Sequence, residues 1–229
     1  MSERPLPAGK LSFEEFLAWC DEDTWAEWVD GKVVMVSPAS NRHQDVRDFL
    51  AFVMRVFSEA RGLGIVRTAP FLMRLPTIPS GREPDLLFLA AVHQDRLKET
   101  YLDGPADLVV EIVSPESRLR DRGEKFAEYE LGGVQEYWIL DLDLHRADFY
   151  RLDSEGRYRL AEPEVGGRYR SMAVPGFWLR LEWLWQEPLP SPVRVVAEIA
   201  GVAPAVADAF ERALRGEKQN PPASQASGG

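Results

Sequence analysis

The sequence predicts an α/β fold, a mixed β-sheet flanked by helices with an added hairpin and C-terminal helices. Three observations carry that reading. Short apolar runs of strand length, "GIVRT", "FLMRL", "DLLFLA", "DLVVEIV" and "EYWILD", recur through the middle of the chain. From about Asn41 to Arg61, Val46, Phe49, Leu50, Val53, Phe57 and Ala60 return at helical spacing. Connections before Glu111 look hairpin-like, whereas a polar helix separates "DLVVEIV" from "EYWILD", as a parallel pair requires. Helices on a mixed sheet make an α/β layer arrangement.

The elements follow in order. Ser12 and Glu15 frame a capping box, which starts a short helix running to Cys20. "WAEWVDGKVVMVS" reads as two strands joined by Asp30-Gly31, a strong hairpin signal. The long helix after Asn41 has Gly62 as its expected C-cap. "PTIPSGREP" and residues 93 to 105 read as loops between strands. The polar helix ends near Leu131, before Gly132-Gly133. "ADFYRL-DSEG-RYRLAE" is a surface hairpin, and "GFWLRLEWLW" alternates as a strand that closes the sheet. Residues 192 to 216 form one or two Ala- and Val-rich helices, and "KQNPPASQASGG" is a disordered tail.

Composition narrows the function classes. With 229 residues, 45% hydrophobic and seven Trp, the chain can bury a sizeable core. The single Cys20 excludes an internal disulfide, and no Cys/His zinc spacing occurs, so a cytoplasmic setting is expected. There is no signal-peptide pattern and no apolar run of membrane-spanning length, so no membrane partner is expected. The net charge of −10 argues against loose, high-affinity DNA binding.

One residue raises a chemical question. Period-two alternation in "DLVVEIVS" puts Asp107, Val109, Glu111 and Val113 on one face, and Glu111 lies within an apolar run. A carboxylate there needs a cation or hydrogen-bond donors. Asp85 opens the strand "DLLFLA" after Pro84 and converges with Glu111 if the two strands are neighbours. Two close acids in an apolar setting repel unless a cation lies between them, and oxygen ligands suit Mg²⁺ or Mn²⁺. Arg122, Lys125 and Tyr129 share a helical face, joined by Arg118 if the helix begins at Ser117. Lys125 can orient or deprotonate a water, and the arginines can hold phosphates. Plainer roles stand beside these. Asp85 and Asp107 can cap turns, Lys125 can pair with Asp121 on the surface, and Tyr129 can edge the core.

"EWVDGKVVMVSP", His43, "EPDLLFL", "DLVVEIVSPES", "DRGEKFAEY" and "GGVQEYWILD" together resemble the Uma-two family of restriction-endonuclease-like proteins, within the PD-(D/E)XK nuclease superfamily. The resemblance runs from about Leu11 to Leu184. It implies a restriction-endonuclease-like core and a Mg²⁺- or Mn²⁺-dependent endonuclease acting on DNA. Asp85 and Glu111 then match the metal-binding acids. Val113 stands where the superfamily usually has its lysine, so the amine is expected from Lys125 on the next helix. Glu27 matches an early acidic position and His43 a histidine near the start of the long helix. Both are expected to support the site, although a strand-edge glutamate and a helix-capping histidine are the structural alternatives. A catalytically inactive module keeping the fold is the competing function. The expected domains are 11–190 for the nuclease-like core, 191–216 for a helical extension and 217–229 for the tail. Symmetry and the need to cut two strands favour a homodimer.

Overall fold

The computed structural model describes residues 5–21, 24–115 and 117–217. All but the first residue of the expected tail lies outside them. The chain divides into two compact units, Met1–Leu189 and Pro190–Gly229.

In the first unit, α1 (Phe13–Trp19) begins with the capping box, since Glu15 N donates to Ser12 Oγ and Ser12 N to Glu15 Oε2. β1 (Ala26–Val29) and β2 (Lys32–Met35) form the hairpin, with Asp30 and Gly31 both at positive φ as a type I′ turn requires. Next come α2 (Asn41–Ala60), β3 (Gly64–Thr68), β4 (Leu72–Leu75), β5 (Ser80–Arg82) and β6 (Leu86–Ala90). A 3₁₀ turn (Ala91–Arg96) leads to β7 (Tyr101–Asp103) and β8 (Leu108–Val113). They are followed by α3 (Arg118–Arg122), α4 (Glu124–Gly132), β9 (Glu136–Asp141), β10 (Arg146–Leu152) and β11 (Tyr158–Leu160). β12 (Arg168–Arg170), β13 (Trp178–Arg180) and α5 (Glu182–Trp185) complete this unit.

Six strands in the order β11-β10-β9-β8-β6-β3 make the main sheet, in which β8 and β9 are parallel and the other pairs antiparallel. A second sheet runs β2-β1-β5-β4-β7. Leu87, Leu89, Val109, Val113, Tyr137 and Ile139 of the main sheet form one core with Met73 and Leu75 of β4 and Tyr129 of α4. α2 packs against β3 and buries Val46, Phe49, Leu50, Val53, Met54 and Phe57. The mixed α/β expectation thus holds, with β8 buried along its whole length.

Four local expectations change, the first being that residues 93 to 105, read as a loop, contribute β7 beside β4. "PTIPSGREP" contributes β5, a short strand that Gly and Pro signals conceal. The polar helix is two helices that meet at Gly123 (φ −118°, ψ −82°), so Arg122 and Lys125 do not share a continuous helical face. "GFWLRLEWLW" does not close the main sheet. Among the described residues Trp178–Arg180 pairs only with β12, and the chain then coils into α5, which buries Trp183 beside Trp178 at 5.2 Å between ring centres. The aromatic side chains set the packing there, and alternation alone misleads.

Glu136 opens β9 fully buried and accepts from Trp138 Nε1, Tyr169 Oη, Ser171 Oγ, Met172 N and Ala173 N. It therefore ties the segment before β13 to the main sheet without a cation.

In the second unit, α6 (Pro192–Ile199) and α7 (Pro204–Leu214) bury Val195, Ile199 and Ala207. Arg194 bridges them through Asp208 and Glu211, both at 2.7 Å. Among the described residues, no helix is long and apolar enough to cross a membrane.

Candidate active site

The β6–β8 ladder brings the two acids together. Leu86 faces Val110, so the next pair outward is Asp85 and Glu111. Asp85 Oδ2 accepts from Ile112 N at 2.7 Å, and Oδ1 lies 2.8 Å from His43 Nε2 at the start of α2. At the other end of the same ladder, Asp107 Oδ2 accepts from Ala90 N at 2.7 Å and the carboxylate pairs with His93 Nδ1. Asp107 thus serves as an end-cap far from Asp85.

Glu111 is buried, but its surroundings are polar. Lys125 Nζ donates to Glu111 Oε1 at 2.9 Å and Tyr129 Oη to the same oxygen at 2.7 Å. The two donors are one turn apart on α4, so the helix delivers both. Lys125 is itself enclosed: Glu27 Oε1 lies at 3.3 Å and Asp121 Oδ1 at 3.5 Å. Asp121 takes the i,i+4 partner role that the sequence suggested, but it is buried.

The electrostatics follow. Burial pushes the Glu111 carboxyl up to about 8; Lys125 opposes this while Asp121, Asp85 and Glu27 reinforce it. Burial alone would also lower the Lys125 pKa, but Glu111, Glu27 and Asp121 together carry it well above its ordinary value. The ammonium is therefore fixed. Burial likewise works against ionised Glu27, yet Lys125 and Arg82 carry its pKa below the usual range. Burial raises Glu83 to about 7, helped by nearby Glu27. Tyr129 is raised well above its usual value, first by burial and then by Glu111.

Arg82 was not foreseen. Nearly inaccessible, it donates to Glu128 through Nε (2.8 Å) and Nη2 (2.6 Å), and to Glu27 through Nη1 (2.8 Å). It therefore fastens α4 and Glu27 to β5, and with them the position of Lys125. Its only sequence signal was an arginine three residues before Asp85.

The structure thus brings Asp85, Glu111, Lys125, Glu27, His43 and Tyr129 into one connected cluster. It does not bring in the arginines. Arg118 is held in two hydrogen bonds to Asp141 (2.7 and 3.0 Å), and Arg122 Nη1 is bonded to Asp148. Both guanidinium groups tie α3 to β9 and β10 through carboxylate partners. Arg118 is engaged through two of its nitrogens, whereas Arg122 is engaged through Nη1 alone and its Nη2 has no hydrogen-bond partner among the described residues.

Among the described residues, no group of three or more His, Cys, Asp or Glu is placed to hold a metal ion. The donor set still fits one class of ion. Mg²⁺ characteristically takes one or two carboxylates, waters and substrate phosphates rather than an all-protein cage. Asp85 and Glu111 supply two such carboxylates, and the buried Asp121 Oδ1, which faces Lys125 at 3.5 Å, makes no hydrogen bond among the described residues. The set does not fit zinc.

No curated protein matches the chain. Its structure is similar to a crystal structure described as a "putative nuclease belonging to DUF820" from Anabaena variabilis, with a TM-score of 0.63 and 15% identity. That likeness covers 76% of this chain and 97% of the other, and at such identity it shows the fold, which is restriction-endonuclease-like. The family Uma2, described as "Putative restriction endonuclease", matches residues 13–182. With most of its length matched and the nuclease-like fold in place, the chain belongs to the Uma2 family.

Proposed function

We propose that this protein is a metal-dependent endonuclease that hydrolyses phosphodiester bonds of DNA, with Asp85 and Glu111 holding Mg²⁺ or Mn²⁺. The observation that carries the proposal is the juxtaposition of Asp85 and Glu111 across β6 and β8, with the Lys125 ammonium on Glu111. When bound, the ion would polarise the phosphate and acidify water. The protein's own groups do the rest. Ile112 N and His43 orient Asp85 through its two oxygens. Lys125 and Tyr129 fix Glu111 and leave its Oε2 for another partner. Lys125 acts as a permanent cation, because three surrounding carboxylates hold it protonated. That favours charge compensation over proton abstraction from water. A homodimer belongs to this reading, since cutting both strands needs two sites; sedimentation equilibrium tests it.

Incubation of the protein with supercoiled DNA and Mn²⁺ should yield nicks, and Glu111→Ala should abolish both nicking and calorimetric Mn²⁺ binding. Retained cleavage in that variant would refute the assignment. The enclosure of Lys125, with Val113 at the superfamily's lysine position, favours a second reading as a non-catalytic module. Wild-type protein that takes up no Mn²⁺ at millimolar concentration would select it.

A further inference from the structure

With Arg118 and Arg122 engaged by carboxylates, the proposed substrate needs another cationic contact. Two arginines meet on the edge strand of the main sheet. Arg55 Nη2, reaching from α2, donates to Val66 O at 3.3 Å, and Arg67 Nη1 of β3 donates to the same oxygen at 3.1 Å. The two guanidinium groups therefore come within about 6 Å of each other, a mutually repulsive arrangement. Neither meets a carboxylate among the described residues, although the chain carries a net charge of −10. Arg42, Arg74, Arg82, Arg118, Arg122 and Arg146 have acidic partners, while Arg61, Arg96 and Arg151 meet a ring or neutral oxygens singly rather than as a pair.

Their place in the fold suggests the ligand. Arg67 faces Leu87, which faces Val109, so it shares the sheet face of Glu111. It lies one strand across and two rungs along from Asp85, roughly 8 Å by ladder geometry. Each strand of duplex DNA carries a charge about every 3.4 Å of helix axis, so a strand lying beside the acids also runs past the arginines. We propose that Arg55 and Arg67 form a binding site for a backbone phosphate of the nucleic-acid strand beside the Asp85–Glu111 pair. This deepens the nuclease reading and rests on it. The paired guanidiniums supply the planar, multidentate donors that phosphate oxygens accept.

Binding is separated from cleavage by measuring anisotropy of a short labelled DNA strand, and of its duplex, in chelator-containing buffer over a series of salt concentrations. Arg55→Gln and Arg67→Gln should each weaken binding about tenfold and reduce the slope of log K against log salt by about 1. Arg67→Lys should recover the slope. Thermal melts check that every variant is folded. If the double Gln variant binds with wild-type affinity and slope, the pair merely protects a sheet edge and the inference falls. It also falls if the wild-type protein binds neither probe at low salt. Cleavage with Mn²⁺ is scored independently: arginine-dependent binding without cleavage would uphold this site and sink the nuclease reading.

Discussion

At the scale of single residues, the site is an exercise in charge matching. Lys125 is surrounded by Glu111, Glu27 and Asp121, so replacing it removes the cation from three buried acids. Lys125→Met should destabilise the protein by about 3–5 kcal/mol in chemical denaturation, the usual outcome of stranding buried charge. Adding Glu111→Gln to Lys125→Met should recover part of that loss, because one stranded carboxylate disappears. Glu136 offers a cation-free contrast. Each of its oxygens accepts from at least two donors, so a Gln amide must turn its NH₂ toward other donors whichever way it points. Glu136→Gln should cost about 3 kcal/mol by the same measurement. The Asp85–Glu111 pairing was legible in the sequence because strand periodicity and a plausible antiparallel neighbour suffice to predict it. The buried state of Asp121 was not, since i,i+4 spacing reports proximity to Lys125 but not enclosure.

At the scale of elements, α4 is placed by close approach as well as by ion pairs. A Cβ on Gly132 would lie 2.7 Å from Leu75 Cδ1, so the helix end and β4 touch because a side chain is missing. Gly132→Ala should therefore cost about 1–3 kcal/mol through overpacking, read as a lower melting temperature. The hairpin at Asp30-Gly31, the capped α1, the long α2 and the parallel β8–β9 pair were all legible, because each has a local rule behind it. β5 was hidden by its Gly and Pro surroundings. The α3–α4 break depends on packing around Gly123, which period counting does not register. The acidic partners of Arg118 and Arg122 were hidden for a similar reason, as they lie on β9 and β10, 23 and 26 positions away.

At the scale of the whole molecule, acid stability depends on such distant pairs. Burial would raise the Asp141 pKa, but Arg118 and the Leu144 amide bring it below the ordinary carboxylate value. A depressed carboxylate stabilises the fold above its unfolded-state pKa, and that contribution is lost as pH falls through the folded value. Arg118→Gln should accordingly move the midpoint of acid unfolding, followed by tryptophan fluorescence, to higher pH. The fold class and the gathering of most candidate residues into one cluster were within reach of sequence reasoning; the carboxylate partners of Arg118 and Arg122 were not.

The twin carboxylates at opposite ends of the β6–β8 ladder have one more consequence. Asp85 clasps the amide of Ile112, and Asp107 clasps that of Ala90. They behave like two registration pins, since a shift by one residue would unfasten both together and swing Glu111 toward the opposite side. The acid proposed to hold the metal thus also keeps its own neighbour aimed.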